Sequence, residues 1–296
     1  MEIVVSGASG LIGSALVPAL REDGHTVRRL VRRAPKVADE VRWDPAKHEI
    51  DDSVIAGADA VINLNGVGIG DRRWTESHKK AALDSRVDST TTIADAISRN
   101  PGSGKVLVNG SAVGWYGDRG DDVLAESEPC GEGFLADVVR QWEAATAPAE
   151  AAGARVVRLR TGIVLSPEGG ALGRMLPIFR LGLGGKLGSG KQWFPWIAMA
   201  DEIGAIKFAL TNDTVAGALN LSAPNPVTNA AFTKALGRAI HRPALATVPP
   251  FALRAAFGGF ADEGLLVSQR AVPNALQAAG YEFADPDLDA ALARML

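Results

Sequence analysis

The sequence predicts an α/β protein, a doubly wound parallel sheet with a smaller C-terminal lobe interleaved into it. Three observations carry that prediction. Short β-branched runs alternate with helical stretches up to about residue 165, a glycine-rich turn joins the first run to the first helix, and beyond 165 the texture turns to glycine, aromatics and proline. The chain has 296 residues, 47% hydrophobic and 22% charged, which is enough for a large core and a second lobe.

The elements follow in order. EIVVS (2–6) is a β-branched strand, and LIGSALVPALREDGH places Leu11, Ile12, Ala15, Leu16, Ala19 and Leu20 at helical spacing, with Gly24 closing the helix. TVRRLV (26–31), ADAVINL (58–64), KVLVNG (105–110) and ARVVRLRTGIVL (154–165) read as further strands, with helices expected over 75–99 and 133–152. DEIGAIKFAL (201–210) is an amphipathic helix and GALNLSAP (217–224) one more strand and turn. In the tail, Pro243, Pro249, Pro250, Pro273 and Pro286 separate short helical pieces. The expected division is a nucleotide-binding domain over 1–165 plus about 197–222, and a substrate lobe over 166–196 and 223–296.

Composition narrows the partners. A net charge of −3 gives no electrostatic reason to expect nucleic acid or an anionic membrane, and no apolar run reaches membrane-spanning length. The single cysteine, Cys130, cannot close an internal disulfide. The four histidines, His25, His48, His78 and His241, lack metal-ligand spacing, so no metal is expected. With an acidic residue at position 2 and no leader pattern, the expectation is a cytoplasmic protein acting on a small molecule.

VVSGASGLIG carries the strongest motif. Gly7, Gly10 and Gly13 form G-x-x-G-x-x-G between a strand and a helix, the context in which glycines admit a tight turn, close approach of a pyrophosphate, and close helix–strand packing. Ser9, Leu11 and Ile12 share this turn and are expected at the cofactor. The second strand ends in Arg32 and Arg33, where an NAD site would carry an acid. Guanidinium groups there suit a 2′-phosphate, so the expected cofactor is NADP(H), although a solvated basic turn would carry the same residues. INLNGVG after the third strand offers Asn63, Leu64, Asn65 and Gly66 as further contacts, or simply a polar loop.

Together these stretches resemble the extended branch of the short-chain dehydrogenase/reductase superfamily, and within it a group of "epimerase family" proteins. SGASGLIGSALVPAL, INLNGVGIGDRRW, KKAALDSRVDSTTTIADAI, GSAVGWYGDRGDD and FLADVVRQWEAA carry the resemblance, as do two segments of the tail, LNLSAPNPVTNAAFTKALGRAIHRPA and VPNALQAAGYEFADPDLDAAL. The resemblance implies a Rossmann-type domain and NADP(H). A typical member of the superfamily carries a serine, a tyrosine and a lysine in the pattern Y-x-x-x-K, where the lysine lowers the phenol's pKa, and the group this chain resembles lacks that dyad.

The chain departs from that pattern. It has two tyrosines, and Tyr116 and Tyr281 are followed four residues on by Gly120 and Asp285. Where the dyad is expected to open a helix stand Phe134 and Leu135, with Val138 and Val139 four positions later. Ser111 keeps the serine position and is the one catalytic candidate, with a hydroxyl suited to a substrate carbonyl or the nicotinamide carboxamide, or to satisfying its own loop. Many members of the group it resembles carry W-I-H before an acidic residue, where this chain has Trp196-Ile197-Ala198 and then Asp201. Further pocket candidates are Arg73, Trp74, Lys79, Arg86, Tyr116, Trp193 and Trp196; Lys79 and Arg86, seven apart, share a helix face. Two functions follow: an NADP(H)-dependent oxidoreductase or epimerase-like protein on a small or nucleotide-linked substrate, or an NADP(H)-binding sensor with little or no catalysis.

Overall fold

A computed structural model describes residues 1–101 and 105–296. β1 (Glu2–Ser6), α1 (Leu11–Glu22) and β2 (Thr26–Val31) open the chain, followed by a short β3 (Glu40–Arg42) that had no clear sequence signal. α2 (Asp52–Ala56) leads into β4 (Ala60–Asn63), and α3 (Glu76–Arg99) into β5 (Val106–Ala112). Next come β6 (Val123–Leu124), α4 (Phe134–Ala144), α5 (Ala147–Ala151), β7 (Arg155–Thr161) and β8 (Ile163–Leu165). The excursion holds α6 (Gly170–Arg180), β9 (Gly185–Leu187), β10 (Trp193–Phe194) and β11 (Trp196–Ala198); α7 (Met199–Thr211) and β12 (Gly217–Leu221) follow. The tail has β13 (Val227–Thr228), α8 (Asn229–Ala239), β14 (Ala246–Val248), α9 (Pro250–Phe257), β15 (Arg270–Ala271), α10 (Asn274–Ala278) and α11 (Leu288–Met295).

Seven strands form one sheet in the order β12-β7-β5-β4-β1-β2-β3, every neighbouring pair parallel. Parallel strands need both faces covered, and the central strands β1 and β4 are accordingly buried along nearly their whole length, while β2 and β7 carry arginines toward the edges. Ile3, Val5, Ile62 and Val108 pack with α1 and α7 on one face, in a core with Leu16, Leu20 and Ile206. Val4, Val61 and Leu107 pack on the other with α2, α3 and α5, through Ile55, Ile93, Ile97 and Ala149. The chain order reverses between β1 and β4, so a crevice opens at their carboxyl ends.

Two expected elements are divided. The single strand over 154–165 becomes β7 and β8 because Gly162 turns the chain out of the sheet. Its amide donates to Leu221 O at 2.9 Å, and a Cβ there would lie 2.3 Å from Pro195 O. β8 then pairs with β11, Ile163 opposite Trp196. The helix over 133–152 breaks after Ala144, where the Thr146 hydroxyl donates to Glu143 O at 2.7 Å and Pro148 has no amide hydrogen to give.

α6, α8 and α11 enclose a third core with Leu176, Trp196, Phe232 and Leu292, and the rings of Phe194 and Phe232 stack with centroids 4.3 Å apart. α7 ties this part to the sheet. Asp201 accepts from the amides of Ala284 (2.7 Å) and Asp285 (2.9 Å), anchoring the tail. Its neighbour Glu202 is wholly buried with one bond, accepting from the Thr161 hydroxyl at 3.0 Å, and burial pushes its pKa up to about 8.

That proton gives stability a pH dependence. An unfolded chain ionises this carboxyl near 4.5 and the folded one near 8, so its contribution is complete below 4.5 and is lost as pH rises to about 8. Between pH 5 and 8, Glu202→Gln is expected to gain about 3 kcal/mol on the wild type in urea denaturation. A constant difference across that range would contradict the assignment.

Candidate functional site

The site begins at the turn between β1 and α1. Gly7 has φ +69°, and a Cβ on it would fall 2.5 Å from Leu64 O. A Cβ on Gly13 would fall 2.3 Å from Gly7 O, so α1 lies directly against the strand turn. Gly10 caps α1, its amide donating to Gly7 O at 2.9 Å and its carbonyl accepting from Ser14 at 2.8 Å. The first turn of α1 contains no acidic residue, so its free amides and positive dipole end meet no competing carboxylate. Ser9 is exposed on this turn, Ile12 packs into the core, and the Leu11 side chain reaches the Gly169–Gly170 turn before α6.

Beside the turn lies a cavity of about 370 Å³, lined by Gly7, Ser9, Arg32, Arg33, Trp43 and Asn65, among others. Its charges are not equivalent. Arg29 makes a forked contact with Asp39 at 2.9 and 2.8 Å, and Arg33 another with Glu40 at 2.7 and 2.6 Å. Arg33 and the Lys36 amide draw the Glu40 carboxyl down to about 2. The two arginines expected to act together are thereby separated: the Arg33 fork is committed to Glu40, through the unforeseen β3. Arg32, exposed, makes no hydrogen bond or ion pair among the described residues.

Four expected contacts face inward, three of them tied up in polar bonds among the sheet and the elements packed on it and the fourth packed in the third core. Asn63, fully buried, accepts from the Ser6 hydroxyl at 2.6 Å and donates to Thr90 (3.0 Å) and Asn109 (2.8 Å). Ser111, 5% exposed, donates its hydroxyl to Glu143 at 2.6 Å. Tyr116 donates to Asn220 at 2.7 Å and accepts from Arg160 at 3.2 Å, with no exposed surface. Trp196 is 1% exposed inside the third core. Tyr116 and Trp196 therefore do not line an open pocket, and the Ser111 hydroxyl is engaged away from it.

Arg160 holds this interior together. It pairs with Glu143 at 2.8 and 3.0 Å, lies 4.1 Å from the Trp115 ring centroid, and donates to Glu126 O at 3.1 Å. Its signal in the sequence is two arginines spaced by two in the strand segment VVRLR, with an acid, Glu143, in the facing helix. A buried pair of this kind is costly to break from one side.

The remaining candidates lie around loop 64–75. Leu64 places its carbonyl against Gly7, and Asn65 donates to Ser85 O at 3.3 Å. Trp74 donates to Ile69 O at 3.0 Å and packs on Phe134 and Phe260, with centroids 5.1 and 5.6 Å away. Lys79 lies 5.3 Å from the Phe134 ring centroid and pairs with Glu76 at 3.3 Å. Arg86 abuts Gly66, and Arg73 donates to Ala255 O at 2.6 Å. Trp193 stands apart, bonded to Asp121 at 3.0 Å, with Arg270 over its ring at 4.4 Å. The loop is clasped from α6, where Arg174 donates to Gly70 O (2.9 Å) and pairs with Asp71 (2.5 Å).

α4 begins at Phe134, with the Leu135 amide donating to Glu263 at 2.8 Å and Val138 and Val139 buried. Its first turns thus offer neither phenol nor ammonium, and a Tyr–Lys dyad has no counterpart there.

The comparisons with known proteins give the family and the fold. Residues 3–222 match the model of the NAD dependent epimerase/dehydratase family, and residues 248–295 a domain of unknown function, DUF1731. An epimerase family protein of Mycobacterium bovis is 50% identical over 281 residues, covering 95% of this chain and 93% of its own. The human epimerase family protein SDR39U1 is 38% identical over 296 residues, covering 99% and 98%. A crystal structure of human SDR39U1 (isoform 2) with NADPH superposes with TM-score 0.91 at 36% identity, covering 100% of this chain and 99% of that one. A nucleoside-diphosphate sugar epimerase from Corynebacterium glutamicum gives TM-score 0.80 at 36% identity, with this chain spanning 58% of its length.

The buried network makes a stability prediction. Glu143→Gln, which strands the Arg160 cation, is expected to cost about 3–5 kcal/mol in urea denaturation, and Ser111→Ala about 1 kcal/mol. Two neutral substitutions would show that the network does not support the fold.

Proposed function

The chain belongs to the NAD-dependent epimerase/dehydratase family, and from that premise we propose that it is an NADP(H)-dependent oxidoreductase or epimerase-like protein acting on a small or nucleotide-linked substrate. Arg32 carries the cofactor assignment. It is the cation at the rim of the cavity whose donors are left free, while Arg29 and Arg33 are matched by Asp39 and Glu40. A 2′-phosphate brings the negative charge that this arginine lacks. The glycine turn fits the diphosphate, since Gly7 and Gly13 leave no room for a Cβ and the α1 amides face the crevice. The NADPH in the human SDR39U1 structure supports the same reading.

The cofactor supplies hydride chemistry when bound. The protein's part is to grip the phosphates at Gly10 and the α1 amides and hold the 2′-phosphate on Arg32, while the Arg174–Asp71 pair ties the loop after β4 to α6. Proton transfer cannot follow the superfamily's usual route through α4, where Phe134 and Val138 stand. That observation favours a second reading, an NADP(H)-binding sensor whose catalysis is reduced or lost. A reducing, cytoplasmic setting suits the lone Cys130 on either reading.

Titration with NADPH and NADH, followed by carbonyl and nucleotide-sugar panels monitored through nicotinamide absorbance, separates the two. Turnover establishes the enzyme; tight binding without turnover on any panel favours the sensor; failure to bind either nucleotide sinks both. Arg32→Ala is expected to weaken NADPH by about 10- to 100-fold, the loss of one or two charge-assisted hydrogen bonds. NADH affinity should hardly change, and equal losses for the two nucleotides would refute the 2′-phosphate assignment.

A further inference from the structure

Arg86 differs from the paired arginines around the crevice, and unlike the exposed Arg32 it is largely enclosed. Arg33 is matched by Glu40, Arg160 by Glu143 and Arg174 by Asp71. Arg86 has no carboxylate within ion-pair distance among the described residues. Both hydrogen bonds it makes run through one nitrogen, Nη1, to Val67 O and Ala82 O at 2.9 Å each. Nε and Nη2 have no acceptor among the described residues, and neither is sealed from solvent. The guanidinium is nonetheless enclosed enough that burial pulls its pKa down to about 10.

Its orientation is built in. The Trp142 ring lies 5.1 Å from Cζ and is itself fixed by a 2.9 Å bond from Nε1 to Thr90, which in turn donates to Asn109 at 3.1 Å. On the other side stands Gly66, where a Cβ would come within 3.2 Å of Cζ, so the loop backbone lies directly against the cation. The same loop is pinned to α3 by the Val67 amide donating to the Ser85 hydroxyl at 3.0 Å. Asn65, one residue before Gly66, lines the cavity beside the glycine turn. A half-satisfied guanidinium therefore lies against the loop whose Asn65 walls the nucleotide crevice.

We propose that Arg86 is an oxyanion anchor, with its free Nε and Nη2 edge receiving a carboxylate or phosphate of the molecule that binds beside the cofactor. This rests on the NADP(H)-dependent reading and narrows its substrate class to anionic molecules. An arginine edge presents two parallel donors that match the two oxygens of such a group. The lack of an internal carboxylate leaves that charge unneutralised for the ligand. Lys79, on the same helix face, is already paired with Glu76 and does not compete for the role.

The test follows the arginine Nε–H signals of the NADPH-loaded protein by NMR during titration with inorganic phosphate and with oxalate. The Arg86 signal is identified by its disappearance in Arg86→Lys. It is expected to shift saturably with both anions. Arg86→Gln should weaken phosphate binding by about 10-fold, the loss of a charge-assisted contact, while NADPH affinity stays within about 2-fold of the wild type. An Arg86 signal that does not respond to either anion overturns the proposal, as does phosphate binding unchanged in Arg86→Gln. A matching loss of NADPH affinity in Arg86→Gln assigns the guanidinium to the cofactor and also overturns it. The titration repeated without nucleotide keeps the outcomes apart, since failure to bind NADPH defeats the functional reading while the anion response still decides Arg86.

Discussion

The site depends on a turn with no room for a side chain. Between β1 and α1 the backbone of Gly7 touches the carbonyl of Leu64, and Gly13 touches the carbonyl of Gly7. Those contacts set the depth at which α1 meets the sheet and the direction of its amide end. They also lock the β1 turn to the loop after β4, so the glycine turn and the wall of the crevice are one unit. The pocket at Arg32, the clasp from Arg174 and the guanidinium of Arg86 are all arranged around that unit.

A second constraint works behind it. The superfamily's usual chemistry would be built on the serine after β5 and the first turn of α4. Here that region holds a buried ion pair, with Ser111, Tyr116 and Arg160 gathered around Glu143 and Asn220. The hydroxyls that reacting atoms would need are spent on this interior. In a low-dielectric setting each polar group must find a partner, and a fully satisfied network favours one arrangement of the elements around it. β5, β7, α4 and β12 are joined there by side chains instead of by a substrate.

Much of the fold was legible because its signals are local and periodic. The β-branched runs, the helical spacing of Leu11 to Leu20 and the glycine turn each report a backbone state without reference to the rest of the chain. β3 escaped because Glu40–Arg42 has three residues and follows no apolar run. The 154–165 strand was read as continuous because its apolar pattern runs through Gly162, and only the approach of Pro195 shows why the chain leaves the sheet. The site was less legible, for a physical reason. Residue type gives a side chain's chemistry, but direction decides its use. Arg32 and Arg33 are identical in sequence terms, yet one is paired with Glu40 and its neighbour is not. Asn63 and Asn65 likewise divide between the interior and the crevice.

The position of β12 has a consequence for synthesis. The strand adjoins β7 in the sheet, and its Asn220 bonds Tyr116 and the carbonyls of Leu124 and Val272. Yet all of α6 to α7 emerges from the ribosome between the two strands. At ordinary translation speeds β7 waits on the order of several seconds for its neighbour. During that interval its outer edge and the Arg160 interior are open, and the nascent chain presents the kind of unpaired parallel edge that chaperones cover. The last strand of the sheet therefore sets when the sheet can be completed, and residues far beyond the glycine turn decide when the crevice becomes a lasting one.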